Sequence, residues 1–174
     1  MANCLLNKDL LRSTSCGYNL PEVKDIYLAN YTDVTSSAVA SGDCGEVTAI
    51  TLASGATFYH IEPAKNSVTF TDELVVEDNG NKYRTHTLTF NPTGAYDACM
   101  KDALDALSLG RFFAVVVTAD GNWLALGRIG GLEASAATLQ GGGDTNGMTI
   151  TLSANVTESA VPLSDAAIAI VKGE

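Results

Sequence analysis

The sequence predicts a mainly β protein: an antiparallel β-sandwich or partly closed barrel with one α-helix on its flank. Three observations lead there. Apolar residues recur with period two in short runs, the pattern of half-buried strands. These runs are separated by Asn-Gly, Asp-Gly and glycine-rich links, which favour tight antiparallel connections. One stretch alone carries the 3.6-residue period of an amphipathic helix.

Taken in order, residues 1–20, MANCLLNKDLLRSTSCGYNL, are read as an N-terminal arm ahead of a single β-rich domain over 21–174. The arm lacks a basic region followed by an uninterrupted apolar core and a cleavage site, so no secretory signal is expected and synthesis in the cytoplasm follows. SVTFTDELVV and KYRTHTLTF flank EDNGN, in which Asn79-Gly80 supplies the positive backbone angles of a hairpin turn. The helix falls in GAYDACMKDALDALSLGRFF. Tyr96, Cys99, Met100, Ala103, Leu104 and Leu107 share one face, which places it over about 95–109. Thr93 is its expected cap, Asp97 sits at the positive end of the dipole, and Gly110 is the expected left-handed stop. FFAVVVT and WLALGRI follow, joined by ADGN; then come LEASAATL and MTITLSA, and AAIAIV closes the chain as a last strand-like run.

Length and charge limit the function. The 174 residues fit one domain that buries roughly two thirds of its unfolded surface and needs no disulfide. No run approaches the roughly 18 apolar residues of a membrane span, so no membrane partner is expected. Twenty acids against ten bases give a formal charge of −10, which disfavours electrostatic capture of nucleic acid. The same charge suits a conduit, because a wall with the sign of phosphate lets DNA pass without binding it.

Candidate chemistry is sparse. The most site-like run, GGGDTNGMTITL at residues 141–152, lies between two alternating segments. It has no Lys-Ser or Lys-Thr after it and does not space acids as a calcium loop does, so it reads as a hairpin connection. Its glycines, Gly141, Gly142 and Gly143, also suit close approach to a neighbouring subunit. Cys4, Cys16, Cys44 and Cys99 form no CxxC pair and, with His60 and His86, do not match zinc spacing. They read as reduced thiols; neither metal nor cofactor is expected. A Cys16 nucleophile would need a histidine oriented by a third group, and the two histidines sit at ordinary strand positions. Asp72, Glu73, Glu77 and Asp78 bracket a hairpin tip, where acids are normally solvated. Trp123 opens an apolar strand and reads as a core anchor. No catalytic constellation emerges, and a non-enzymatic role is expected.

The second half carries a resemblance. The order is HTLTFNP, the helix GAYDACMKDALDAL, the strands of RFFAVVVTADGNWLALGRIGGLEASAATLQGGG, then DTNGMTITLSANVTESAVPL. It resembles a recurrent virion protein of Bacteroides-infecting, crAss-like phages, and by architecture their tail-tube and tail-ring proteins. Matching positions are Gly127, Gly131, Leu132, Glu133, Gly141 to Gly143 and Asp144 to Gly147, within residues 60–163. The resemblance implies a structural subunit of a virion, in the tail or the head-tail connector region. Its implied partners are a homo-oligomeric ring, six- or twelve-fold, and neighbouring virion proteins, with DNA passing unbound. A head-tail connector ring and a capsid decoration protein are the alternatives within that setting; a carbohydrate-binding surface module is the alternative outside it. The hairpin over 67–90 is expected to project and pack on an adjacent subunit. Its tip residues Glu77, Asp78, Asn79, Gly80 and Asn81 join Gly141, Gly142 and Gly143 as candidate subunit contacts.

Overall fold

The computed structural model describes residues 22–41, 45–92, 98, 100–142 and 147–174. The expected arm, the four cysteines, Thr93, Tyr96, Asp97, Gly143 and residues 144–146 lie outside that description. The described chain is mainly strand: β1 (Val23–Asn30), β2 (Val34–Val39), β3 (Val47–Leu52), β4 (Tyr59–Ile61), β5 (Thr69–Val76), β6 (Lys82–Phe90), β7 (Arg111–Thr118), β8 (Trp123–Leu126), β9 (Leu132–Gln140), β10 (Gly147–Val156) and β11 (Val161–Pro162). Two helices, α1 (Lys101–Leu109) and α2 (Asp165–Lys172), accompany them. Every pair of these strands is antiparallel.

The sheet is organised around β7. Its run RFFAVVVT is buried from Phe112 to Val117, and an unbroken apolar run of that length marks a strand covered on both faces. Phe112, Ala114 and Val116 point into one core, Phe113 and Val115 into another. β1 pairs along one edge of β7 and β8 along the other. β9 then takes over from β8: Ala114 faces Leu126, Phe112 faces Leu132, and residues 127–131 form an excursion between them. From β9 the order continues through β10 and β6 to β5. Side chains of β1, β7 and β8 share one core with those of β6, β9 and β10, so the open sheet folds back on itself into two layers. Leu104 of α1 joins that core. The second core lies on the outer face of β7, where β3 and α2 supply Val47, Ile50, Ala167 and Val171. The expected sandwich architecture is therefore present.

The elements depart from expectation at four points. The described helix starts at Lys101, with Met100 at its cap position, and buries Leu104 fully and Leu107 in part; Met100 and Ala103 are exposed. Gly110 is extended, at φ −86° and ψ 173°, because the chain passes straight into β7. Glycine is needed there for another reason: a Cβ would lie 2.5 Å from the Phe112 ring and 2.9 Å from the Ala106 carbonyl. AAIAIV is helical. Ser164 caps α2 by accepting the Ala167 N–H at 3.4 Å, Ala167 and Val171 are buried one turn apart, and Gly173 closes it at φ +77°. In the β5–β6 turn only Gly80 has a positive φ; Glu77 N–H donates to the Asn81 carbonyl at 2.9 Å, so three residues form a turn closed by a left-handed glycine. ADGN repeats the device between Thr118 and Asn122, with Gly121 at φ +84°.

The β5–β6 hairpin is also less free than its length suggested. β10 pairs with β6 from Arg84 to Phe90, so this hairpin is built into the sheet and only its tip runs past β10. The glycine-rich link joins β9 to β10, Gln140 opposite Gly147, as a hairpin connection. It is this second hairpin that stands out: residues 135–140 of β9 are all exposed.

Candidate functional site

The densest polar grouping lies where β5 and β6 meet the excursion after β8. Asp72 and His86 are direct cross-strand partners, and the alternation that places Leu88 and Phe90 inside also turns His86 inward, leaving it 1% exposed. Asp72 Oδ1 accepts from Arg84 Nε at 2.5 Å, and Oδ2 accepts the Ala160 N–H at 2.8 Å. Arg84 Nη2 also donates to the Asp72 carbonyl at 3.2 Å. Burial alone would raise the Asp72 pKa, but the Arg84 guanidinium, the Ala160 N–H and His86 together hold it below the ordinary carboxylate value.

His86 is fixed by its two nitrogens. Gly127 N–H donates to Nδ1 at 3.2 Å, so Nδ1 carries no proton and the neutral ring bears it on Nε2. Nε2 stands 3.4 Å from Asp72 Oδ1, without a hydrogen-bond partner among the described residues. Burial pushes the His86 pKa down, and Arg84 adds to this; Asp72 and Glu158 pull the other way without reversing it. Beside it, Arg128 holds Glu158 by two hydrogen bonds, 2.7 Å from Nε and 2.5 Å from Nη2, and donates from Nη1 to the Ser37 carbonyl at 3.1 Å. Both side chains are less than one-fifth exposed.

An aspartate against a histidine is half of a hydrolytic triad. A general base needs its second nitrogen free and within reach of substrate. Here that nitrogen accepts a backbone N–H, and the ring is closed to solvent. The network therefore joins β5–β6 to the 127–131 excursion and to the segment before β11. Sequence reasoning placed Asp72 among solvated tip acids; the structure separates it from Glu77 and Asp78, which are exposed. The missed signal was the D-x11-R-x-H spacing, which becomes informative only once the hairpin register is known.

A second constellation runs across β4, β1 and β8. His60 stacks on Tyr27 with centroids 4.7 Å apart, Tyr27 stacks on Trp123 at 5.4 Å, and Lys172 Nζ lies 5.5 Å from the Trp123 centroid. His60 Nε2 is 2.9 Å from Asp25 Oδ1. Burial, followed by Asp25 and Glu62, raises the Tyr27 phenol pKa. Aromatic rows of this kind bind sugars when their faces are open, but Tyr27 is covered by its two neighbours and Trp123 by Tyr27 and the Lys172 cation, while His60 is exposed at the other end. Trp123 anchors α2 to the sheet, in keeping with its expected structural role.

Two concavities are described: a shallow one of about 440 Å³ between Trp123 and α2, lined by Leu124, Leu163, Asp165 and Ile168, and a cleft of about 500 Å³ beside α1. Leu28, Ile61, Leu104, Leu107 and Phe112 line the cleft beside α1, with the exposed Tyr59, His60 and Glu62 on its rim. Pro92 and Met100 bound one side, and between them the chain is described only at Ala98. Among the described residues no three acids or histidines converge as a metal site, and no helix is long and apolar enough to cross a membrane.

The candidate contacts occupy two separate tips. Glu77, Asp78, Asn79, Gly80 and Asn81 are exposed at the end of β5–β6; Gly141 and Gly142 are exposed after β9, with Gly142 at φ +88°. Gly143 lies outside the described residues. Comparison with protein-family models, curated proteins and solved structures gives no match.

Proposed function

We propose that this protein is a non-enzymatic structural subunit that assembles head to tail into a ring. In the setting implied by the resemblance over residues 60–163, that ring is a tail-tube-like or tail-ring component of a phage particle. One observation carries the reading. The polar groups best placed for chemistry are spent on one another inside the fold, whereas among the described residues the sheet leaves long edges of β5 and β9 without a paired strand and presents two exposed hairpin ends. Such edges are a liability in a monomer, and head-to-tail packing of subunits around a ring covers them.

The acidity supplies the working principle. At −10 per copy, a few carboxylates from each subunit on an inner wall create a repulsive lining, along which DNA slides without specific binding. The carbohydrate-module alternative is disfavoured by the closed faces of the Tyr27–Trp123 column. Connector and decoration roles share the ring or cluster assembly and differ in location.

Mass spectrometry of purified particles, with antibody labelling of the intact virion, tests the setting. The expected result is the chain among the particle proteins, with label on the tail or at the head-tail junction. Absence from particles, combined with turnover or tight binding of a small molecule, would overturn the proposal.

A further inference from the structure

The sheet ends in edges of very different character. β4 has three residues and β11 two, one of them Pro162; short edges and proline are ordinary defences against unwanted pairing. Two edges are long. β5 runs eight residues at the end of the strand order. It carries Asp72 and Glu73, is followed by Glu77 and Asp78, and exposes Leu74 and Val76 by more than half. β9 runs nine residues, and among the described residues no strand pairs with its outer edge beyond Glu133. α1 packs beside the base of β9, yet residues 135–140 stay exposed on both faces.

The protection of β9 among the described residues lies near its base, in α1 and a bulge at Ser135, and residues 136–139 beyond it are exposed. From Ala134 to Gly143 the sequence ASAATLQGGG contains no charge and no proline, and Leu139 is 59% exposed. We propose that the outer edge of β9, centred on residues 136–139, pairs with the outer edge of β5 in a second copy of this chain. This inference rests on the assembly proposed above and names the surfaces that carry it.

Charge selects that partner among the three pairings two copies offer. β5 against β5 sets Glu73, Glu77 and Asp78 against their own kind, in molecules that already repel at −10. β9 against β9 is electrostatically open, but it closes a pair and leaves Leu74 and Val76 of both β5 strands in water. β9 against β5 places an uncharged strand beside an acidic one, covers Leu74, Val76 and Leu139 together, and presents the same two edges again on the outer subunits. A heterologous contact of this kind propagates around a ring. Both sets of candidate tip contacts then flank one seam: the 77–81 turn on one copy, and Gly141 and Gly142 on the other.

The test is a charge swap at two exposed positions on one face of β9. Full-length A136E/T138E and A136K/T138K, on the face opposite Leu139 and therefore the face of Glu73, are compared with the unaltered chain by native mass measurement over a dilution series at low salt, with circular dichroism as the check on folding. New carboxylates opposite Glu73 and the tip acids should weaken association by about tenfold, the combined effect of two like-charge cross-strand pairs. New lysines should leave it equal or tighter. Two outcomes overturn the edge assignment while leaving assembly standing. One is a glutamate variant that assembles like the unaltered chain; the other is equal weakening by both variants, the mark of β9 pairing with itself. Tighter assembly after removal of residues 1–21 would also overturn it, by showing that the chain's own N-terminal segment occupies the edge. If the unaltered chain stays monomeric, the assembly proposal itself fails.

Discussion

Replacing Gly127 by alanine should destabilise the fold far more than the same change at Gly130, although both glycines sit in the same five-residue excursion and both have positive φ, +64° and +93°. Each replacement forces a Cβ into the left-handed region, at roughly 1–2 kcal/mol. Each also gains a little from a stiffer unfolded chain, about 0.4–1 kcal/mol, which cancels in the comparison. Gly130 has nothing within 4 Å of the added atom, so its cost stops there. At Gly127 the new Cβ would lie 2.6 Å from Leu132 Cγ and 2.9 Å from the Leu132 backbone nitrogen. Leu132 has no room to withdraw, being fully buried and paired with Phe112. Overpacking of this kind costs roughly 1–3 kcal/mol, and the backbone shift that relieves it draws the residue 127 N–H away from His86 Nδ1, which adds about 1 kcal/mol. The difference between the variants should therefore be about 2–4 kcal/mol, a large share of the roughly 5–15 kcal/mol available to a domain. Urea unfolding followed by the fluorescence of the single tryptophan, Trp123, measures it. Equal stabilities within about 0.5 kcal/mol, the usual scatter of independent surface changes, would refute the claim that this excursion is packed against the core.

Further outcomes follow from the same structure. His86 is held neutral, with its folded pKa below the unfolded value; its contribution is complete above about pH 6.5 and is lost as pH falls below that toward the lowered folded value. Stability measured from pH 7 downward should therefore decline, and His86→Asn, whose amide oxygen can still accept from Gly127, should flatten the upper part of that decline. Asp72 acts lower: its depressed pKa contributes stability above the unfolded value of 3.8 that disappears as pH falls through the folded one. Glu158→Gln should cost roughly 1–3 kcal/mol in thermal or urea unfolding, because Arg128 is left partly buried without its carboxylate. Ser164→Ala should cost about 1 kcal/mol by uncapping α2, with no change in assembly. Shortening Glu77–Asn81 to a two-residue Asn-Gly turn should leave the monomer folded and weaken assembly by light scattering, since it removes acids and backbone from the seam.

Fold class was legible because it rests on periodicity. SVTFTDELVV, KYRTHTLTF, FFAVVVT and MTITLSA each became strands, and the glycine-bearing turns between them fell where turn chemistry placed them. Failures came where local signals competed. In SDAAIAIVKG the alternation of Ala and Ile resembles a strand, but a serine cap, a first-turn acid, a last-turn lysine and a terminal glycine specify a helix, and these outweigh six alternating residues. Gly110 does end the helix, but in an extended rather than a left-handed conformation, and what requires glycine there is the Phe112 ring two residues on. The polar network was not legible at all. It joins Ser37, Asp72, Arg84, His86, Gly127, Arg128, Glu158 and Ala160, drawn from five parts of the chain. Only the folded register brings them together. The candidate contacts rested on loop composition, which located both tips but not which hairpin stands clear of the sheet.

The central claim is assembly, and the most direct measurement is negative-stain imaging of the purified full-length protein at rising concentration, with solution mass taken on the same samples. Closed rings of uniform diameter, with a mass that is a fixed multiple of 18.1 kDa, are the expected result. A single species at 18.1 kDa throughout, with no rings or tubes on the grid, would contradict it.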